Sequence, residues 1–378
     1  MDKTQTATYM DTLEKIALEV IRPAAVEIDQ AGAYPRAAMQ ALGNAGLFGL
    51  ISAQEVGGMG LGIRAAAQVI ERVAQECAST AMVLCMQYAG TAVIEAYGSL
   101  EIRKDIAAGK HITTLAFSEQ GSRSHFWAPV STALAHNGSV HLDAVKSWIT
   151  SAGEADSYVW SSRPMIAEGA STIWLVPANA AGLSVAGAFN GLGLRGNASS
   201  PVKADQVAVD RTAMLGPDGG GFDIMMSVVL PHFQIMNAAF SLGTMEAATK
   251  KAAEHVGGTK LEHLGNSLGD LPTIRAYIAR MRIKTDMVRA LLLDTLDAVE
   301  NGRPDTMLRV LEIKAAAGET STEVTDLAMR VCGGAAFRKD VGVERNFRDA
   351  RAATVMAPTT DVLYDFIGKA VCGMPLFG

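Results

Sequence analysis

The stretch that decides the fold is Lys146-Ser147-Trp148-Ile149-Thr150-Ser151, near the middle of the chain. About 30 residues earlier stands Thr114-Leu115-Ala116-Phe117-Ser118-Glu119-Gln120-Gly121-Ser122-Arg123-Ser124, which places hydroxyl groups and a glycine beside an aromatic residue. Taken singly, Trp148 is typical of a core residue and Thr150 of a strand residue. Their combination is more specific, and the sequence on either side indicates which kind of fold contains it.

The region around these two stretches has the pattern of a β domain. After about residue 111, the chain consists of short runs bounded by Gly, Asn, Pro and Ser, namely SVHLDAVKSWIT, SYVWSS, STIWLVPA and LSVAGAF. β-Branched and aromatic residues alternate roughly within them, which is typical of antiparallel strands. No helical pattern separates these strands, and this disfavours a doubly wound parallel sheet. We therefore expect a small antiparallel β domain over residues 113–218.

Helical patterns flank this domain. In the first third, Leu13, Ile16, Ala17 and Val20 recur at three and four residues, as on a helix with one buried face, and Pro23 is expected to kink or end that helix. Four later runs are long enough for the helices of a bundle: Phe222–His255, Pro272–Asn301, Pro304–Cys332 and Asp349–Cys372. The prediction is an α+β chain with a helical domain at 1–112, the β domain at 113–218 and a four-helix bundle at 219–378.

Composition excludes several classes of protein. The chain has 378 residues, 49% hydrophobic and 19% charged, which excludes a disordered chain. The net charge of -6 argues against a nucleic-acid-binding protein. The sequence contains no run of 18 uncharged apolar residues, so no membrane-spanning helix is predicted. The polar start MDKTQTATYMDTLEK lacks the apolar core of a signal peptide, and we therefore expect a cytoplasmic protein. The cysteines and histidines show no CxxC or HExxH spacing, so we predict no metal site.

Two short patterns are misleading. Gly191-Leu192-Gly193-Leu194-Arg195-Gly196 matches GxGxxG, but a dinucleotide-binding fold needs a helix directly after it. NASSPVKAD follows instead, so we interpret the segment as a loop or hairpin. Ser124 and His125 are adjacent, and neighbours of this kind cannot present their side chains to each other as nucleophile and base.

The two opening stretches resemble two motifs of the acyl-CoA dehydrogenase superfamily, V-T-E-P-G-x-G-S and K-x-W-I-T-[NS]. The resemblance extends along the whole chain in the expected order. Glu55–Gly60 is similar to the family's E-x-Y-G-G-x-G segment, Met329–Gly334 to Q-[IV]-[LH]-G-G, and Arg348–Arg351 to R-D-[AS]-[KR]. The implied fold is the family's helical domain, β domain and helical bundle.

The resemblance implies FAD as cofactor and a homodimer or homotetramer, because the family builds each FAD site from two chains. The Ser118 and Thr150 hydroxyls should contact the isoalloxazine, with Trp148 against its face. Gly333 and Gly334 should allow close approach to the pyrophosphate of FAD held by a neighbouring subunit. Ser124 matches a serine near the pantetheine arm of an acyl-CoA. Further positions implied for the cofactor site are Phe117, Ile149, Arg330, Thr359 and Asp361.

The chain departs from the family where the catalytic base stands. Family dehydrogenases remove an α-proton with a Glu carboxylate, but Ala357 occupies that place here and a methyl group cannot accept a proton. Some members carry the base on the first long helix of the last domain, where this chain has His232 followed by Phe233 in place of a common Arg. His232 is therefore either a base or a residue of the pocket wall without proton transfer. Phe233 and Ala357 are expected to border the substrate.

A second departure concerns retention of the cofactor. The family's R-x-x-F-G segment, which contacts the FAD of the partner subunit, is replaced by His255-Val256-Gly257-Gly258-Thr259. A cation and a stacking ring are lost with it. We therefore expect weaker flavin retention than in a housekeeping dehydrogenase.

Three functions remain open on this basis. The preferred one is a monooxygenase that uses reduced flavin and O2, with a flavin reductase as partner, on a small organic or CoA-thioester substrate; family branches of this kind lack the Glu, and several act in secondary metabolism. Such chemistry needs a dry pocket and no α-proton base. The alternative is an acyl-CoA dehydrogenase with an unusual base such as His232 and an electron-transferring flavoprotein as partner. A non-catalytic relic is disfavoured by the intact flavin motifs.

Overall fold

The computed structural model describes residues 3–122, 125–136 and 138–377. Its N-terminal part contains six α-helices: α1 Lys3–Ile16, α2 Arg22–Ala31, α3 Arg36–Asn44, α4 Gly62–Ala74, α5 Ala78–Tyr97 and α6 Leu100–Ala107. Pro23 was expected to kink or end the first helix. The helix does not end there but continues through a π-helical turn at Ala17–Ile21 into α2. Pro23, which has no N–H to donate to the preceding turn, lies directly after this π-helical turn. The apolar α5 is buried on nearly all sides.

The middle part contains two facing sheets. Its strands are β1 Thr113–Ala116, β2 Thr132–His136, β3 Ser139–Ile149, β4 Ser157–Ser162, β5 Thr172–Pro177, β6 Leu183–Val185 and β7 Ser200–Asp210. One sheet has the order β1-β4-β5 and the other β2-β3-β7-β6. The two sheets share one core, in which Trp160 and Trp174 of the first sheet are fully buried together with Val202 and Val207 of the second.

Two features of this β domain differ from the sequence prediction. All pairings within the two sheets are antiparallel except that of β1 with β4, which is parallel. The chain leaves β1, forms β2 and β3 in the other sheet, and then returns to pair with β1 in the same direction. Strand β7 begins in the NASSPVKAD segment, where sequence reasoning excluded a helix and assigned no strand; its alternating burial gives it one core face.

The C-terminal part is helical. It contains α7 Gly221–Ile224, a π-helical turn at Met225–Val229, α8 Leu230–Gly258, a small hairpin of β8 Lys260–Leu261 and β9 Asn266–Ser267, and then α9 Pro272–Glu300, α10 Thr306–Cys332, α11 Val343–Ala350, α12 Ala352–Val355 and α13 Thr360–Val371. The prediction of one helix over 349–372 is wrong. The chain leaves the helical path between Met356 and Thr359, where Pro358 lacks an N–H to donate.

Helix α8 is the centre of the molecule. It packs against α4 and α5 of the N-terminal part and against α9, α10 and α11 of its own bundle. Among the described residues, the continuous helical stretch Gly221–Gly258 is the one long and apolar enough to cross a membrane. In the most apolar part of this stretch, 72% is buried inside the protein, as is typical of a core helix.

Candidate active site

A cavity of about 930 Å³ lies where the three parts of the chain meet. This volume is in the range of sites for small molecules and cofactors. Its walls come from α5, the segments that follow β1 and end β3, the loop at 189–194, the start of α8, and the segment 351–359. Phe117, Ser118, Trp148, Ile149, Thr150, Phe233, Ala357 and Thr359, all expected at the site, are among its lining residues.

The two stretches that opened the sequence analysis meet at one wall of this cavity. The backbone N–H of Ser147 donates to the carbonyl of Ser118 at 2.8 Å. Next to it, the buried ammonium of Lys146 bonds the carboxylate of Glu119. Two segments about 30 residues apart in sequence are therefore held side by side, and both face the cavity.

Trp148 is presented by a distortion of β3. The register of β3 against β7 shifts between Lys146 and Ile149, and Trp148 adopts a φ of 58°. A bulky residue rarely occupies this region, and such strain is concentrated at functional sites. The bulge leaves the indole 73% exposed at the cavity, edge-on to the ring of Phe189. The Thr150 hydroxyl, by contrast, is buried and hydrogen-bonds the hydroxyl of Ser199 at 3.2 Å.

Glu119 supplies the single carboxylate among the described residues that line the cavity, and its oxygens are already bonded. One oxygen accepts from Lys146 and the Ser131 hydroxyl, and the other accepts from the backbone N–H groups of Val130 and Ser131. Burial by itself raises the pKa of this carboxyl, but the Lys146 charge and these hydrogen bonds outweigh it and hold the pKa below its usual range. Glu119 is thus a buried anion that positions the wall, with no oxygen left to take a proton from a substrate.

The segment that contains Ala357 is fixed from below by Lys314 of α10. The Lys314 ammonium is fully buried and donates to the carbonyls of Ala353, Met356 and Pro358 at 3.1, 3.0 and 2.7 Å. Burial lowers its pKa to about 7. The position of Ala357 is therefore set by a cation one layer beneath the cavity.

The Arg348-Asp349 pair fixes the loop that resembled a dinucleotide motif. The guanidinium of Arg348 forms a bidentate ion pair with Asp29, with N–O distances of 2.8 and 2.6 Å, and donates to the carbonyl of Leu192. Asp349 accepts from the backbone N–H of Leu194 at 2.6 Å. A Cβ at Gly193 would lie 2.4 Å from the Arg348 carbonyl oxygen, so the close approach requires glycine.

This loop was missed as part of the site. Residues 191–196 belong to no helix or strand, as predicted, yet 191–194 line the cavity. The spacing of its glycines could have indicated that this loop belongs to the site, because closely spaced glycines indicate close backbone packing whether or not a pyrophosphate is bound.

Helix α8 contributes an apolar wall. Leu230 and Phe233 of α8 line the cavity together with Val229 of the preceding turn, whereas His232 is not among the lining residues. The Nδ1–H of His232 donates to the carbonyl of Val228 at 2.7 Å, as that carbonyl can only accept. Burial lowers the pKa of His232, so the ring is neutral near pH 7.

Other expected cofactor residues lie away from this cavity in the single chain. Gly333 and Gly334 follow the end of α10 on an exposed surface, and a Cβ at Gly334 would meet no atom within 4 Å. The Arg330 guanidinium lies 4.9 Å from the ring centroid of Tyr277. Asp361 is exposed in the first turn of α13, directly after the cavity-lining Thr359 that caps this helix. Ser124 lies outside the described residues.

Comparison with protein families decides the identity of the fold. Three family models match in order: Acyl-CoA dehydrogenase, N-terminal domain, over residues 4–109; the middle domain over 114–207; and the C-terminal domain over 219–372. The chain belongs to the acyl-CoA dehydrogenase superfamily. It is an enzyme of a flavin-dependent oxidoreductase family, and FAD is the cofactor.

Individual proteins that are similar to this chain show how broadly the fold is used. The chain is 28% identical over 361 residues to the mitochondrial short-chain specific acyl-CoA dehydrogenase of Bos taurus, covering 93% of this chain and 86% of the relative. The FAD complex of PigA superposes with a TM-score of 0.90 at 18% identity, covering 98% of each chain. The prolyl acyl carrier protein oxidase AnaB gives 0.89 at 18% identity, covering 98% and 99%. The same fold therefore occurs in a dehydrogenase and in an oxidase.

The residues at the cavity of this acyl-CoA dehydrogenase superfamily member suit a flavin. Trp148 supplies an exposed aromatic face, which a flat ring system can stack against. Ser118 and Thr150 lie along the same wall, and the Thr150 hydroxyl is bonded to Ser199. Thr359 caps α13, and the N–H groups of a first helical turn favour an anion, although the Val362 N–H already donates to the Thr359 hydroxyl. Among the described residues, no group of three His, Cys, Asp or Glu side chains could hold a metal ion.

Proposed function

We propose that this chain is a flavin-dependent monooxygenase that uses reduced flavin and O2 on a small organic or CoA-thioester substrate, with a flavin reductase as partner. The observation that carries the proposal is the absence of a free carboxylate among the described lining residues of the cavity. Glu119 is fully bonded, and the lining residue Ala357 occupies the place of the family's Glu by the sequence resemblance. Without a positioned base, removal of an α-proton from a thioester has no route through these side chains.

The apolar part of the cavity lining supports chemistry that requires the exclusion of water. Leu115, Phe126, Leu230, Phe233 and Met356 contribute apolar surface around the segment that holds Trp148. A dry, enclosed site protects a reactive cofactor from wasteful side reactions. When bound, the flavin supplies electron transfer, and the role of this chain is to orient ring and substrate against each other.

The alternative is α,β-dehydrogenation of an acyl-CoA, with electrons passed to an electron-transferring flavoprotein. The dehydrogenase names of the relatives favour it. His232 is then the candidate base, and its Nε2 is the nitrogen that remains available once Nδ1 has donated to Val228. Its place outside the cavity lining and its lowered pKa weigh against this role.

The proposal includes a homodimer or homotetramer. The exposed backbone at Gly333 and Gly334 has room for a neighbouring group. These residues do not reach the cavity of their own chain, and a second chain would give them a cofactor to contact.

The proposed reaction inserts one oxygen atom of O2 into the substrate and releases the other as water, with two electrons supplied by NADH through the reductase. The test uses the FAD-loaded protein with a flavin reductase, NADH, isotopically labelled O2 and a panel of amines, phenols, indoles and acyl-CoAs, followed by mass spectrometry. One labelled oxygen in a product, absent with FAD-free protein, is the expected result. Desaturated acyl-CoA without label, formed only when an electron acceptor replaces O2, would establish the alternative.

A further inference from the structure

Two buried side-chain amides with unpaired polar atoms lie behind the cavity wall. Gln234 of α8 is 0% exposed, and neither its amide nitrogen nor its amide oxygen has a hydrogen-bond partner among the described residues. Asn237, one turn further, is also 0% exposed, and its amide oxygen is likewise unpaired. Because both the nitrogen and the oxygen of the Gln234 amide lack partners, exchanging the two atoms by an amide flip would leave both unpaired.

These amides are adjacent to the cavity. Residues 230, 233, 234 and 237 recur at intervals of three and four, so they share one side of α8. Leu230 and Phe233 of this set line the cavity. The amide nitrogen of Asn237 donates to the sulfur of Met356 at 3.5 Å, and Met356 is itself a lining residue. Met356 therefore touches both Asn237 and the cavity.

Several buried polar groups of the bundle are satisfied within their own helix, although the hydroxyls of Ser241 and Thr249 of α8 also lack a partner in the described part of the chain. The buried hydroxyls of Thr244, Thr285 and Thr325 donate to the carbonyl one helical turn earlier and are satisfied. Gln234 and Asn237 have no such arrangement, and a buried polar group without a partner destabilises the folded protein. A partner from outside the chain would remove this penalty.

We propose that Gln234 and Asn237 form a polar subsite behind the α8 wall of the cavity, which hydrogen-bonds an uncharged amide or hydroxyl group of the substrate. The inference rests on the proposed function only in taking this cavity as the substrate site. Gln234 offers a donor and an acceptor, and Asn237 offers an acceptor, so a group with both functions fits better than a simple carbonyl.

The flexible thioether of Met356 is the movable part of this subsite. Methionine is unbranched and adapts to irregular space, and its sulfur is a weak acceptor that a better partner can replace. Displacement of Met356 opens Asn237 to the cavity. A plain hydrocarbon chain would gain nothing from these amides, so the subsite selects against it.

The test compares benzamide with toluene, a pair of similar shape that differs in the amide group. Dissociation constants are measured from perturbation of the flavin spectrum in FAD-loaded wild type, Gln234→Met and Asn237→Leu. Thr249→Val is the control, because it removes another unpaired buried hydroxyl about three turns further along α8. Wild type and control should bind benzamide at least tenfold more tightly than toluene, and each amide variant should lose that preference without weaker toluene binding.

A second readout separates a ligand subsite from a structural role. Without ligand, Gln234→Met or Asn237→Leu should raise Tm by about 2 °C, because each removes an unpaired group. A lower Tm in both variants would mean that fixed internal water pairs the amides, and it would overturn the subsite. Equal affinity of wild type for the two probes would overturn it as well. Binding is measured without turnover, so failure of the oxygen chemistry leaves this result unaffected.

Discussion

Replacement of Lys314 by Met tests how the floor of the cavity is held. The Lys314 side chain is 0% exposed, and its ammonium donates to the backbone carbonyls of Ala353, Met356 and Pro358. Methionine has a similar length and no charge, so the variant removes the cation with little change in volume. The wild-type side chain carries a cost of burial that depends on pH, and the variant does not.

The sign and size of that dependence follow from the pKa. Burial lowers the pKa of Lys314 from 10.5 to about 7 in the folded protein, so between these values the unfolded chain binds the additional proton. The free energy of unfolding of wild type relative to Lys314→Met should therefore rise as pH increases above about 7. The slope is at most about 1.4 kcal/mol per pH unit and the total about 5 kcal/mol. The three carbonyl acceptors favour the ammonium and make the observed total smaller.

The assay is urea unfolding of wild type and Lys314→Met at pH 7, 8 and 9, at fixed protein and FAD concentrations because both bind the native state. Other titrating groups are common to both proteins and cancel in the difference. Lys203→Met serves as the control, since Lys203 is half exposed and pairs with Asp205 on the surface. A stability difference between wild type and Lys314→Met that stays constant from pH 7 to 9 would refute a buried cation of lowered pKa at this position.

Three further predictions concern the site. Trp148→Ala should weaken FAD binding about tenfold or more, because it removes the stacking face, whereas Trp148→Phe keeps an aromatic face and should retain most of the binding. FAD binding is measured by flavin fluorescence on dilution, and equal loss in both variants would argue against stacking. Gly334→Val should leave the secondary structure of the protein unchanged, because a Cβ there meets no atom of its own chain. The variant should nevertheless have a lower FAD content and a lower oligomeric mass, measured by light scattering. Unaltered FAD content and mass would contradict the predicted contact with a second subunit. His232→Gln should change turnover less than about threefold under the monooxygenase proposal, and complete loss of acyl-CoA-dependent turnover would instead identify a base.

Weaker flavin retention is also expected, from the altered segment at 255–259. That segment ends α8 and leads into the hairpin of β8 and β9. Equilibrium dialysis of the holoprotein checks it: FAD should leave measurably within the experiment, and stoichiometric FAD after extensive dialysis would contradict the expectation.

The order of helical and β parts could be predicted because hydrophobic periodicity reflects which faces are buried. The wall built from Phe117, Ser118, Trp148 and Thr150 could also be predicted, because its two segments carry a specific pattern of residue types. The break after Val355 was missed, since a helical pattern continues on both sides of it and only Pro358 marks the interruption.

Other parts of the site depend on contacts that a single sequence does not contain. The loop at 191–194 becomes a cavity wall because Arg348 and Asp349, more than 150 residues away, bond its backbone. In the sequence, Gln234 and Asn237 are only polar residues within an apolar helix. The packing around α8 is what shows that both side chains are buried and that amide atoms of each lack a hydrogen-bond partner among the residues that the structure describes. The place of Ala357 above Lys314 is likewise a tertiary property.

The most direct measurement is made without oxygen. FAD-loaded wild-type protein is mixed anaerobically with excess butyryl-CoA, and the absorbance of the oxidised flavin is followed. Because the described lining residues offer no free carboxylate to accept an α-proton, the oxidised spectrum should persist over minutes and disappear only when a flavin reductase and NADH are added. Rapid bleaching by butyryl-CoA alone would show that this cavity removes an α-proton after all, and would contradict the account.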